Sequence, residues 1–181
     1  QCDPAIIPAG VFANLPALSD VTVEFGAIPA HMFEGSGVTV LTLGAGVTEI
    51  GDSAFANTAL TSAEMQNVTA IGAGAFANTA LTSAEIQNVT AIGAGAFEGS
   101  ALERVQLNAA ASVGERAFAN TKLTKMVIPT AGSFPLSAVE GTSAELRLPA
   151  DATDEQLAAW NETLQRPWYD PMLREGEVSK F

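Results

Sequence analysis

Two consecutive 21-residue blocks, starting at Phe55 and at Phe76, constrain the fold more than any other feature of the chain. They read FANTALTSAEMQNVTAIGAGA and FANTALTSAEIQNVTAIGAGA, and they differ only at Met65 and Ile86. The same frame continues in both directions, with a phenylalanine every 21 or 22 residues. The anchoring residues are Phe12, Phe33, Phe55, Phe76, Phe97 and Phe118. A fixed period of this length is typical of a solenoid, in which each repeat forms one coil stacked on its neighbours.

Each block carries two apolar positions that are two residues apart, such as Ala84 and Ile86. The equivalent pairs are Leu41 and Leu43, Ala63 and Met65, Val105 and Leu107, and Met126 and Ile128, with Val21 and Val23 in the first block after a shift of one. Side chains two residues apart lie on the same face of a β-strand. The pattern therefore predicts one short parallel strand in every coil.

The position two residues after each anchoring phenylalanine accepts only asparagine or glycine. The six residues are Asn14, Gly35, Asn57, Asn78, Gly99 and Asn120. These residue types tolerate a left-handed backbone, which commonly ends a helical turn. The spacer before each phenylalanine has room for a single turn. We therefore predict one short helical or 3₁₀ turn per coil, ended by a left-handed residue.

A strand, a turn and a short helical corner within about 21 residues describe an α/β leucine-rich-repeat solenoid. A parallel β-helix is the alternative, and the single strand per coil and the recurrent helical stop count against it. Residues 81–97 follow the pattern LxxAxIxxVxxIGxxAF, which resembles the treponemal and BspA-like class of bacterial leucine-rich repeats. The resemblance extends from Ile7 to about Pro149. Pro8 and Pro29 depart from it, since they replace the glycine of the later turns.

The repeat frame breaks after Pro129, and residues 130–143 are punctuated by Gly, Ser and Pro, which predicts an irregular coil. Residues 144–149 then predict one more strand, with Leu146 and Leu148 facing inward. We assign residues 1–148 to the solenoid.

Residues 149–181 are assigned to a C-terminal cap, which would cover the apolar end of the last coil. Thr153 and Gln156 form a capping box, and an apolar stripe that includes Trp160 follows them. These features predict a helix at about 154–165.

The net charge of −12 is distributed unevenly along the 181 residues. Residues 1–103 contain ten acidic side chains and no Lys or Arg, and all eight basic residues lie between Arg104 and Lys180. This distribution argues against nucleic-acid binding, because more than half of the chain offers nothing to neutralise phosphates. No apolar run reaches the roughly 18 residues that a membrane-spanning helix needs.

The sequence predicts neither a catalytic site nor a cofactor or metal site. His31 is the only histidine, so no paired-histidine metal site is available. Glu64 and Glu85 hold the same position in adjacent coils, which should place them about 4.8 Å apart. Paired carboxylates can serve as acid and base. Here the pairing follows from the repeat itself, so we interpret it as a solvated ladder.

The outward positions of the predicted strands form the candidate binding surface. We predict that partner binding uses Ser62, Glu64, Ser83, Glu85, Arg104, Gln106 and Lys125. Solenoids of this type present such a sheet as a concave platform. Its charge changes from acidic to basic along the array, which suits recognition of a charged macromolecule. Glu85 and Arg104 are expected to form a modest cross-strand pair at this boundary.

The resemblance implies a secreted or cell-surface bacterial protein that binds another protein, a host extracellular protein included, in an adhesion role. Two alternatives stay open: capture of carbohydrate at the surface, and a purely structural spacer. Sugar sites usually offer exposed aromatic rings, and the predicted strand face has none. Cys2, the only cysteine, is a candidate lipid-anchoring residue of a bacterial lipoprotein, although Gln1 is not the small residue that normally precedes such a cysteine. Its alternative is an incidental free thiol.

Overall fold

The computed structural model describes residues 7–107, 111–128, 134–147, 153–155 and 158. Within these residues the chain forms two parallel sheets. The strands in chain order are β1 (Asp20–Phe25), β2 (Val40–Gly46), β3 (Glu49–Ile50), β4 (Ser62–Glu64), β5 (Ala70–Ile71), β6 (Ser83–Ile86), β7 (Ala91–Ile92), β8 (Arg104–Leu107), β9 (Ser112–Val113), β10 (Lys125–Val127) and β11 (Glu145–Arg147). Sheet A has the order β1-β2-β4-β6-β8-β10-β11, and sheet B has the order β3-β5-β7-β9.

The strand pairing confirms the solenoid. Every pair of neighbouring strands is parallel, and equivalent residues of successive coils face one another, as Ser62 faces Ser83 and Ser83 faces Arg104. We number the coils 1 to 6 by their anchoring phenylalanines, from Phe12 to Phe118. Each of these coils contributes one strand to sheet A, as the apolar spacing of two predicts.

Sheet B was not expected, because the apolar spacing of two predicts only one strand in each coil. Its strands are only two residues long, and each ends on a buried residue such as Ile71 or Ile92. The preceding buried residue, Val68 in coil 3, lies three positions earlier rather than two. The alternation that identifies a strand in a sequence is therefore missing here.

The anchoring phenylalanines form a continuous stack through the core. Successive ring centroids are 5.1–5.6 Å apart, with interplanar angles between 5° and 13°. The rings of Phe55, Phe76, Phe97 and Phe118 are fully buried. Phe12 is 39% exposed because it is the first ring of the stack. The phenylalanine frame of the sequence is therefore the packing axis of the fold.

We call the segment from four residues before to three residues after each anchor the corner of its coil. All six Asn or Gly residues placed two after the phenylalanine have φ between 55° and 68°, which confirms the predicted left-handed stop. A second left-handed residue lies two positions before each phenylalanine. These residues are Gly10, His31, Ser53, Gly74, Gly95 and Arg116, with φ between 53° and 70°. Two left-handed residues within five positions do not fit a right-handed helix.

The corner hydrogen bonds explain why the predicted helical turn is not confirmed in coils 1 to 6. In coil 3 the Phe55 N–H donates to the Ala75 carbonyl of the next coil at 2.8 Å, whereas the Ala56 N–H donates to Ser53 of its own coil at 3.1 Å. The same alternation recurs along the array. A helix would direct these donors to its own carbonyls. The corners are therefore hydrogen-bonded turns.

A row of buried hydroxyl groups supports the corners from inside. In every coil after the first, Ser or Thr stands three residues after the anchor, and in all but one of these coils its hydroxyl donates to the anchor carbonyl, as Thr79 does to Phe76 at 2.9 Å. The other bonds of this kind are made by Ser36, Thr58, Thr121 and Thr142, at 2.6–2.8 Å. Ser100 is equally buried, but its hydroxyl has no hydrogen-bond partner in the described structure. We did not predict this row from the sequence.

Residues 134–147 form a seventh coil, which corrects the prediction that the frame breaks into an irregular stretch. Val139 takes the anchor position, 21 residues after Phe118, and Gly141 is the left-handed stop with φ 71°. This corner contains the 3₁₀ helix Leu136–Val139. Strand β11 follows and pairs with β10, with Leu146 buried as predicted. This coil was not recognised in the sequence because its anchor is a valine and not a phenylalanine.

The predicted C-terminal cap is described only in part. Of the expected helix at about 154–165, residues 154, 155 and 158 are helical, and the remaining positions lie outside the described residues. Leu148 and Cys2 also lie outside them. The division into a solenoid at 1–148 and a cap at 149–181 therefore stays a prediction.

Candidate functional site

The exposed side of sheet A brings all seven predicted partner-binding residues onto one surface. The strands alternate as expected, since Ser62 and Glu64 are exposed while Ala63 between them is buried. The same holds for Ser83 and Glu85. The outward residues of the later strands, Arg104, Gln106 and Lys125, are exposed too. All seven side chains therefore lie on the solvent-exposed side of sheet A.

The strand register arranges this surface, which we call the strand face, into two rows. The first row contains Asp20, Val40, Ser62, Ser83, Arg104, Lys125 and Glu145. The second row contains Thr22, Thr42, Glu64, Glu85, Gln106 and Val127. Neighbouring members of a row are separated by the strand spacing of about 4.8 Å. The two acidic residues of the centre lie in the second row and the two basic residues in the first.

This arrangement does not produce the expected pair between Glu85 and Arg104. Arg104 faces Ser83 across the sheet and Glu85 faces Gln106, so the two charges are diagonal neighbours. No ion pair joins them in the described structure. Both charged groups are therefore available to a partner.

Val40 and Val127 also lie on the strand face, although they are not among the seven residues predicted to bind a partner. Val40 is 48% exposed and Val127 is 55% exposed. Val40 lies on β2 and Val127 on β10, four strand steps apart, which corresponds to about 19 Å. The sequence already contained a signal for these two contacts. Each is an apolar β-branched residue at an outward position, where other coils carry Ser, Glu or Arg. The strand face thus has a charged centre between two exposed apolar side chains.

A shallow polar depression of about 300 Å³ adjoins the acidic part of the strand face, where β4 and β6 end. Gln66, Glu85, Gln87 and Asn88 line it. The Asn88 Nδ2 donates to the backbone carbonyl of Gln66 at 2.6 Å, which ties coil 4 to coil 3 at this point. The depression therefore has walls from two coils.

The repeat region matches a family model described as the BspA type leucine rich repeat region, in six copies over residues 26–141. This match covers well over half of the chain.

The chain belongs to the BspA-type leucine-rich repeat family.

The match confirms the resemblance found in the repeat motif. Leucine-rich-repeat solenoids are typically protein-interaction scaffolds without enzymatic activity. A comparison with curated proteins gives no match.

On the strand face of the BspA-type array Lys125 and Glu145 form an ion pair at 3.6 Å, whereas Glu85 and Arg104 do not pair. The corners carry a larger ion-pair network. The Arg116 guanidinium donates to Glu98 at 2.6 Å and also to Glu140, so one side chain links coils 5, 6 and 7. The hydrogen bond with Glu98, together with the charges of Glu140 and Glu98, raises the pKa of Arg116 above its ordinary value. These charges are paired within the chain, unlike those of Glu85 and Arg104.

Two negative findings apply to the described residues of the BspA-type chain. They contain no group of three or more His, Cys, Asp or Glu side chains placed to hold a metal ion. None of their helices has the length and apolar character of a membrane span.

Proposed function

We propose that this BspA-type array is an adhesion-type module of a secreted or cell-surface bacterial protein, and that it binds another protein through the strand face. The family is often associated with the cell surface and with adhesion. The observation that carries the proposal is the composition of the strand face, where two exposed valines flank the acidic Glu85 and the basic Arg104, which do not pair with each other. A host extracellular protein is the partner class that fits this role.

Apolar and charged side chains contribute differently to the binding of one protein by another. Apolar side chains that lose water on binding supply much of the affinity, and charged side chains orient the partner and speed its association. Val40 and Val127 provide the first kind of contact at the two ends of the strand face. Glu85 and Arg104 provide the second kind between them. A carbohydrate would instead be expected to stack on aromatic rings, and none of the strand-face residues is aromatic.

The test compares two charge-swapped variants of the full chain. The first changes the strand face by Glu64→Lys, Glu85→Lys and Arg104→Glu. The second makes the same net charge change elsewhere, by Glu49→Lys, Glu115→Lys and Lys122→Glu, all exposed. Association is measured against a panel of purified secreted and cell-surface proteins and, in parallel, a glycan array. Thermal unfolding of both variants should stay close to that of the unchanged chain, since every altered side chain is exposed.

We expect a protein ligand whose association is slowed, and whose salt dependence is altered, by the strand-face variant alone. Val40→Ser with Val127→Ser should then accelerate dissociation from the same ligand. Binding to glycans without any protein ligand would support the carbohydrate alternative instead. If the matched control weakens binding while the strand-face variant does not, another surface binds the partner.

A further inference from the structure

Strand β1 forms one edge of sheet A. Among the described residues it pairs only with β2, and no described strand pairs with the opposite side of its backbone. β1 spans six residues and contains neither proline nor lysine. Proteins commonly protect an edge with these residues or with a very short strand, because unpaired N–H and C=O groups can pair with another chain. The edge of β1 lacks these forms of protection.

The irregular pairing between β1 and β2 leaves the free edge of β1 regular. Val23 faces Leu43 and Phe25 faces Gly46, so β2 contains one residue more than β1 between these positions. The extra residue therefore belongs to β2. On β1, exposed residues alternate with more buried ones, in the order Asp20, Val21, Thr22, Val23 and Glu24. A strand added to this edge would thus meet an ordinary alternating partner.

Exposed apolar side chains lie at the same end of the array. Val11, Phe12 and Leu15 of the first coil are between 39% and 45% exposed. The Phe12 ring stacks on Phe33 and on no other ring among the described residues. The terminal repeat of a solenoid normally presents a polar outer face. The inward side chains of an added strand would therefore meet an apolar surface at the open end of the core.

The charges on β1 indicate which kind of segment fits its edge. Asp20 accepts a hydrogen bond from the Ser19 hydroxyl at 2.5 Å. Neither Asp20 nor Glu24 is in an ion pair within the described residues, and residues 1–103 contain no Lys or Arg. Opposite charges on neighbouring strands stabilise pairing, whereas like charges oppose it. Basic side chains are therefore favoured opposite β1, and a second copy of β1 is disfavoured.

From these observations we infer that β1 accepts an extended segment of a partner protein as an added strand of sheet A, and that this segment alternates basic outward residues with apolar inward residues. In this mode of recognition, backbone hydrogen bonds supply affinity and alternate side chains supply selectivity. The inference goes beyond the proposed function, because it concerns the backbone edge of β1 and not the side chains at the centre of the strand face.

The experiment titrates the full chain with three blocked hexapeptides and follows the backbone amide signals by two-dimensional NMR. The basic peptide is Lys-Val-Thr-Val-Lys-Val, and the acidic peptide is Glu-Val-Thr-Val-Glu-Val. The third is the basic peptide with N-methyl groups on its three central residues, which keeps the side chains but removes backbone donors. The basic peptide should shift the signals of residues 20–25 with saturation and slow their hydrogen exchange. The other two peptides should leave these signals in place.

Two double variants test the role of charge. Asp20→Lys with Glu24→Lys should weaken binding of the basic peptide by about tenfold or more, and should transfer the preference to the acidic peptide. Glu103→Lys with Glu115→Lys makes the same net charge change at exposed positions in coils 5 and 6. This matched control should leave the binding of both peptides unchanged.

Four outcomes of the titrations would overturn the inference. They are the absence of saturable shifts in residues 20–25 at millimolar peptide, shifts centred instead on Glu64 and Glu85, equal binding of the N-methylated peptide, and equal weakening by the two double variants. Self-association of the chain that protects the β1 amides would also overturn it, because a second copy would then occupy the edge. None of these results affects the strand-face proposal, whose charge-swapped residues lie on β4, β6 and β8.

Discussion

The side-chain oxygen of Asn78 lies 2.5 Å from the point at which a Cβ atom would stand on Gly99. The two residues hold the same corner position in adjacent coils, and both are left-handed, with φ of 55° and 68°. Where asparagine follows asparagine, the contact is different, since the Asn78 Nδ2 donates to Asn57 Oδ1 at 3.1 Å. Glycine at position 99 is therefore favoured for two reasons, its backbone conformation and the space that the Asn78 side chain occupies.

We expect Gly99→Ala to destabilise the array by about 1–2 kcal/mol through left-handed strain alone, with a further loss from the contact with Asn78. Adding Asn78→Gly should recover the second part but not the first. Chemical denaturation of the two single variants and the double variant measures this coupling. Additive losses would show that the Asn78 side chain moves aside without cost.

The phenylalanine stack predicts a position-dependent loss of stability. Phe76→Ala should cost on the order of 3–5 kcal/mol, because the ring is fully buried between two others. Phe12→Ala should cost much less, since Phe12 is already 39% exposed and stacks on one ring. Amide hydrogen exchange should show the loss of protection centred on coil 4 for the first variant. Equal losses at both positions would contradict the stack as the source of stability.

The unpartnered hydroxyl of Ser100 predicts unequal effects within the buried hydroxyl row. Thr79→Val should cost about 0.5–1.5 kcal/mol, because it removes the hydrogen bond to the Phe76 carbonyl. Ser100→Ala should be neutral or slightly stabilising, because no hydrogen bond is lost. Both changes are read from the midpoint of urea unfolding. A clear destabilisation by Ser100→Ala would mean that this hydroxyl does make a bond in solution.

We expect the ion pairs of Arg116 to make a salt-dependent contribution to the stability of the folded chain. Arg116→Gln should lower the unfolding midpoint in dilute buffer, since it removes ion pairs with Glu98 and Glu140, and the difference should shrink in concentrated salt. A guanidinium whose pKa is raised on folding stays protonated at neutral pH, so salt rather than pH is the variable to change. Lys122→Gln, another exposed cation on coil 6, is the matched control. A midpoint difference that salt does not alter would contradict the ion-pair explanation.

The features of the fold that could be predicted from the sequence are those in which a single physical requirement restricts the residue types at a position. Burial at every second position identifies the strands of sheet A, and the left-handed stop admits only asparagine and glycine, as at Asn57. The second left-handed position escaped notice because the corner tolerates Ser53, His31 and Arg116 there as well as glycine. Val139 escaped notice for a related reason, since packing at the end of the stack accepts an aliphatic side chain in place of phenylalanine.

The candidate site was predictable in its membership but not in its pairings. Alternation along a strand is enough to place Glu85 and Arg104 on the solvent side. Whether they pair depends on the register between β6 and β8. In the observed register Arg104 lies opposite Ser83, and Glu85 lies opposite Gln106. The amide directions around Asn88 depend on a contact with the preceding coil, which no local pattern encodes.

The hydrogen bonds donated by the anchoring phenylalanines all run in one direction, since Phe12 donates to Met32 and Phe55 to Ala75, each from one coil to the following coil. A ladder of this kind has chemically different ends. The carbonyl groups of Val11 and its neighbours hold the acceptor positions at the first coil, whereas donors point toward the last. This row of bonds therefore has a direction, and a further coil could continue the row only in a head-to-tail orientation.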